Sequence, residues 1–114
     1  MSSKRILRVN ELIKKELNGI IIREIEALPD VFITITRVDC SPDLRQAKVY
    51  ISVIPDSRFQ KVFRQLLANV AELQHLLNLR LRMRPVPKVV FAEEKTTKDA
   101  AKIEQLLKEI KKDV

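Results

Sequence analysis

Apolar residues recur along this chain with two periods, a helical one of about 3.6 and a strand one of about 2, and the switches between them mark its elements. Between Lys4 and Ala27, the positions Ile6, Val9, Leu12, Ile13, Leu17, Ile20 and Ile21 fall three or four apart, which gathers them on one helical face. Ser2 or Ser3 can cap the start, because a serine oxygen accepts from the first free amides. Gly19 lies inside this helix at a cost of ~1 kcal/mol relative to alanine. Pro29 and Asp30 end it. Val31 to Asp39 is rich in β-branched residues and alternates, with Val31, Ile33 and Ile35 on one face and Phe32, Thr34, Thr36 and Val38 on the other. Ser41-Pro42-Asp43 suits a tight turn, since proline presets φ at its second position. In the strand that follows, Ala47, Val49, Ile51 and Val53 oppose Lys48, Tyr50 and Ser52. The pair predicts an antiparallel hairpin, apolar on one side, that requires helices on that side alone.

The helical period then returns. Asp56 or Ser57 caps a long helix with Phe59, Val62, Phe63, Leu66, Leu67, Val70, Leu73 and Leu77 along one stripe, running toward Leu79. Pro85 and Pro87 force extended chain, and Lys88 to Ala92 predicts a short third strand. Thr96 with Asp99 resembles a capping box. It opens a last helix bearing Ile103, Leu106, Leu107 and Ile110, with Lys108, Lys111 and Lys112 near its negative end. The order helix, strand, strand, helix, strand, helix predicts an α+β fold. A three-stranded sheet is covered by helices on one face, in a single domain over residues 1–114.

Composition narrows the chemistry. With 46% hydrophobic and 32% charged residues the chain is globular in type. Cys40 is the only cysteine, so an intramolecular disulfide and a thiolate zinc cluster are both excluded, and it reads as a small buried apolar residue. No apolar run approaches the ~20 residues that span a bilayer, and the charged N-terminus lacks a signal-peptide core; the expectation is a cytoplasmic protein. A single glycine excludes a glycine-rich phosphate loop. His75, the only histidine, falls beside the apolar stripe with no orienting group identifiable. Asp39 with Asp43, and Glu93 with Glu94, are the candidate carboxylate pairs, but turn and strand-end acids are usually solvated. The expectation is a non-enzyme that takes no cofactor, metal or small-molecule substrate.

Charge is where the sequence says most. The net charge is +7, and it is unevenly spread. Residues 57–91 carry seven Lys/Arg against Glu72, and residues 1–23 carry six against Glu11 and Glu16, whereas residues 24–56 are net acidic and the remainder neutral. Two basic stretches folded onto one face would attract a polyanion. Arg80, Arg82 and Arg84 alternate where the helix gives way to extended chain, a spacing that puts three guanidinium groups on one side, and arginine forks match phosphate oxygens. Lys4, Arg5 and Arg8 lie in the first turns of the first helix; Arg45, Lys48 and Lys88 complete the candidate nucleic-acid-binding set. Aromatic residues make up only 4%, with Tyr50 alone on the semi-polar sheet face, so the expected contact is with backbone and shape. A docking surface for an acidic protein is the alternative reading, and a minimal nuclease or transferase using Asp39, Asp43 or Glu94 a third.

The stretch from Thr34 to Ser52 closely resembles the signature of the ribosome-binding factor A family. Its elements here are Thr34, Thr36 and Val38; Ser41, Asp43 and Leu44; then Ala47, Lys48, Val49, Tyr50 and Ser52. Arg5, Arg8-Val9, Arg82-Met83-Arg84, Val86-Pro87 and Phe91 extend the resemblance from about Arg5 to Ile110. It implies a type II KH-like fold, no cofactor and no covalent chemistry. It also implies binding, as a monomer, to the small ribosomal subunit and its ribosomal RNA, with a role in late maturation of the 5′ region. Two departures stand out: Asn69-Val70-Ala71 occupies the place of the family's Ala-x-Gly helix kink, and Glu94-Lys95-Thr96 that of its Asp-x-Ser. Changing Arg80, Arg82 and Arg84 together to alanine is expected to weaken binding to small subunits broadly without unfolding the chain. Sedimentation equal to that of the parent would remove these residues from the site.

Overall fold

The first helix, α1 (Lys4–Glu24), is set by its sequence at both ends. Ser3 Oγ accepts from the Ile6 amide at 3.2 Å, and Ile25 leaves the helix in extended conformation. The structure, a computed structural model, describes residues 3–25 and 30–94. The C-terminal helix and its Thr96–Asp99 cap, like the predicted end of the first helix at Ala27, lie outside these residues. Ile6, Val9, Ile13, Leu17, Ile20 and Ile21 are buried as their spacing requires, whereas Leu12 stays 40% exposed at the margin of the stripe.

Strands β1 (Phe32–Cys40) and β2 (Gln46–Ile54) form the antiparallel hairpin, and β3 (Lys88–Glu93) joins β2 in parallel, giving the order β1-β2-β3. On β2 the alternation holds, with Ala47, Val49, Ile51 and Val53 all buried. On β1 it does not. The register slips between Ile35 and Arg37, so that Ile35 faces Ile51 while Arg37 faces Tyr50, and Thr36 is an extra residue. A bulge of this kind shifts the phase of everything after it. Val38, expected beside Thr34 and Thr36, is therefore buried together with Cys40, and Arg37 takes the open face.

The long second helix is also revised. Asp56 and Ser57 form a short 3₁₀ turn with Arg58, and no side-chain cap bond is made there. Two helices follow, α2 (Phe59–Ala68) and α3 (Val70–Arg80), broken at Asn69, whose φ of −107° and ψ of 9° leave the helical region. Asn69 Nδ2 donates to the Gln65 carbonyl at 2.7 Å, a second bond to an oxygen that already accepts the Asn69 amide at 3.1 Å. The stripe continues across the break through Phe59, Val62, Leu66, Leu73 and Leu77, but the change of direction leaves Leu67 49% exposed. All three helices and the inner face of the sheet share one core, closed by Leu81, Val89 and Phe91.

Two asparagines of α1 fix the helix along β1. Asn10 Oδ1 accepts from the Cys40 amide at 2.9 Å, and Asn18 Oδ1 from the Ile35 amide at 3.3 Å, so α1 runs antiparallel to β1. Asn10 is itself buried. Its replacement by alanine strands a buried amide and is expected to cost about 1–3 kcal/mol in urea unfolding; an unchanged midpoint would show that the bond contributes nothing. Gly19 has open space where a Cβ would stand. Gly19→Ala is accordingly expected to stabilise the protein by about 0.5–1 kcal/mol, and a loss of stability would show that the glycine meets some further need.

Candidate nucleic-acid interface

The turn between β1 and β2 is built by polar side chains on themselves. Ser41 Oγ donates to Asp43 Oδ1 at 2.6 Å and accepts from the Gln46 amide at 3.1 Å. Asp43 Oδ1 also accepts from the Arg45 amide at 3.1 Å. The Ser41 hydroxyl and then the Arg45 amide hold the Asp43 carboxyl below the usual aspartate range. Leu44 completes the turn with φ at 57°. The turn thus aims Arg45 and Lys48 outward at one end of the sheet, both exposed.

The same end receives the other basic stretches. The start of α1 lies against the turn: Ile6 lines one groove of about 490 Å³ together with residues 39–42, Gln46 and Lys48. Lys4, Arg5 and Arg8 are exposed on the same helix, outside the buried stripe. The Lys88 amide donates to the Arg45 carbonyl at 2.9 Å, which sets the first residue of β3 beside the turn. Lys4, Arg5, Arg8, Arg45, Lys48 and Lys88 are therefore brought to one end of the molecule.

The arginine triad is not the extended row its spacing suggests. Arg80 closes α3 and its Nη1 lies 3.3 Å from Glu16 Oε2, midway along α1. Arg84 Nη1 donates to the carbonyls of Leu81 and Met83, each at 2.7 Å. Leu81 and Pro87 are both buried, the segment between them bends, and Arg84 bonds two of its carbonyls. Gln74 holds the far end, donating to the Pro87 carbonyl at 3.2 Å and accepting from the Val89 amide at 2.8 Å. Of the three arginines, Arg82 is the one exposed without such a contact among the described residues.

One cluster escaped sequence reasoning. On the open sheet face the buried Glu94 accepts from Arg37 Nε at 3.0 Å and from Thr36 Oγ1 at 2.8 Å, while the Arg37 guanidinium lies 3.7 Å above the Tyr50 ring centre. Partial desolvation works against the Arg37 charge, but the hydrogen bond and charge of Glu94 outweigh it and raise its pKa. The signal was present: Arg37 shares the parity of Val31, Ile33 and Ile35, where a charged residue contradicts unbroken alternation. Glu94 is thereby committed to the sheet, and Asp43 to its turn. Among the described residues no group of three or more His, Cys, Asp or Glu side chains is placed to hold a metal ion, and no helix is long and apolar enough to cross a membrane.

A three-stranded mixed sheet covered on one face by helices, in the order helix, strand, strand, helix pair, strand, is a KH-like α+β fold. The chain belongs to the ribosome-binding factor A family, whose model matches residues 5–107. It is 33% identical to ribosome-binding factor A of Halothermothrix orenii over 114 residues, covering 99% of this chain and 93% of that one. The crystal structure of ribosome-binding factor A from Thermus thermophilus shares the fold with a TM-score of 0.68 at 22% identity, over 79% of this chain and 97% of that one. A homology model of the Thermus thermophilus factor, fitted into a cryo-EM map of a 30S complex of ribosome-binding factor A, aligns with a TM-score of 0.62 at 26% identity, over 73% and 88% of the two chains.

Burial, with a smaller contribution from the Asp39 charge, pushes the Cys40 thiol up from 9.0 to about 11. A thiol raised in the folded state stabilises that state fully below its unfolded value, and the contribution is lost as pH climbs through about 11. The native protein is expected to resist a disulfide reagent at pH 8 and to react at once in denaturant; rapid labelling under native conditions would show that the site opens.

Proposed function

We propose that this protein is a ribosome-assembly factor that binds the small ribosomal subunit through its ribosomal RNA and assists late maturation of the 5′ region. The observation that carries this reading is the convergence of α1, the hairpin turn and the start of β3, which gathers six exposed basic side chains that are distant in sequence. Family membership and the 30S complex of the Thermus relative support the partner. Lys4, Arg5, Arg8, Arg45, Lys48, Arg82 and Lys88 contact phosphates, with Arg84 shaping the segment that carries Arg82, and Arg80 tying it to α1. Such contacts fix position and orientation without reading sequence. The protein works by binding alone, as a cytoplasmic monomer, with no cofactor and no covalent step.

Binding to purified small subunits is expected to be strongly salt-dependent. Roughly seven phosphate contacts imply an affinity about 10³- to 10⁴-fold weaker at 200 than at 50 mM salt. Arg82→Ala should lower affinity for all RNA sequences alike and reduce the salt slope by about 1. Failure of the parent protein to associate with small subunits or with their RNA at low salt would overturn the proposal and favour an acidic protein as partner.

A further inference from the structure

Arg37 differs from the other basic residues in how it is held. Its Nε is bound to the buried Glu94 at 3.0 Å, its guanidinium lies 3.7 Å from the Tyr50 ring centre, and 48% of its side chain remains exposed. At that separation the guanidinium packs over the Tyr50 ring on one side, while about half of the Arg37 side chain stays exposed. Glu94 is fixed in turn by Thr36, the extra residue of the bulge. The plane is therefore oriented before any ligand arrives, and the rotamer freedom that an ordinary surface arginine loses on binding is already lost here.

The charge of this arginine is matched by a carboxylate 3.0 Å away, which leaves it a poor attractor of phosphate. Its flat face is not diminished. Guanidinium planes and aromatic rings are the surfaces on which unpaired bases stack. Ala92, the parallel partner of Tyr50 on β3, adds only a methyl group beside the ring, and Lys48 stands on the same face one pleat along β2. We infer that the outer face of the Arg37 guanidinium, backed by Tyr50, is a stacking platform for one unpaired nucleobase, with Lys48 meeting the adjoining phosphate. This deepens the RNA-binding reading and rests on it. It gives the open face of the sheet a role of its own, joined to the basic end at Lys48, taking a base where that end takes backbone.

The test compares binding of a single-stranded oligoadenylate about 12 nucleotides long with its abasic counterpart. The parent protein is expected to prefer the base-bearing strand by roughly 5- to 150-fold, the range that alanine substitution gives for single stacked bases. Arg37→Lys keeps the charge and the Glu94 partner but loses the plane, so it should erase most of that preference while leaving the salt slope unchanged. Equal preference in parent and variant, or no preference in the parent while both strands bind, overturns the platform alone. No binding of either strand at low salt overturns the RNA-binding reading with it. Should the variant fail to fold, photocrosslinking of the parent to a 4-thiouridine oligonucleotide decides: adducts on Arg37 or Tyr50 are expected, and adducts confined to residues 4–8 and 82–88 refute the inference.

Discussion

A sheet with helices on a single face tolerates no error of phase, because a slip of one position turns every later side chain over. The bulge at Thr36 makes that slip once, within β1, and the rest of the fold depends on this one extra residue. The sequence on either side is written for it. Ile33 and Ile35 before it, and Val38 and Cys40 after it, all reach the inner face, although no single alternation includes all four. Removing the bulge would drive Arg37 toward the core and Val38 into solvent. The hydroxyl of Thr36, bound to Glu94, ties the irregularity to the end of β3, two strands away.

Much of the architecture was legible because helices and strands announce themselves by period. The inward residues of β2 and the stripe of α1 behave as their spacing requires, and Lys88 to Ala92 lies within β3. The failures have separate physical origins. A bulge has no residue signature of its own, and only the misplaced Arg37 hinted at it. The break at Asn69 lies within an unbroken apolar stripe, so periodicity runs through it, and only the family resemblance, with its kink at Asn69-Val70-Ala71, points to the place. Asn10 and Asn18 look like ordinary polar residues of a helix until a strand is laid beside them. The arginine triad departs from its spacing because the chain beyond Arg80 bends between the buried Leu81 and Pro87 instead of running extended.

The signature stretch takes on a different character in three dimensions. Its residues mostly build rather than bind: Ser41 and Asp43 close the turn, Ala47 and Val49 fill the core without exposure, Thr36 anchors Glu94, and Tyr50 supports Arg37. Most of the exposed positive charge comes from outside it, in Lys4, Arg5, Arg8, Arg82 and Lys88. A motif can therefore identify a chain while saying little about which side chains meet its partner. The basic end is a product of topology, since an antiparallel α1 and a parallel β3 both have their first residues beside the same turn.

The placement of Asn10 and Asn18 has one more effect. As the outer strand of the sheet, β1 turns part of its hydrogen-bonding backbone away from β2, and such rims template the addition of foreign strands, the first step toward fibrils. By occupying the amides of Ile35 and Cys40, the two carboxamides interrupt that rim at both halves of the strand, and the body of α1 blocks approach between them. A helix whose evident task is to cover the core thus also takes two amides out of the rim of β1.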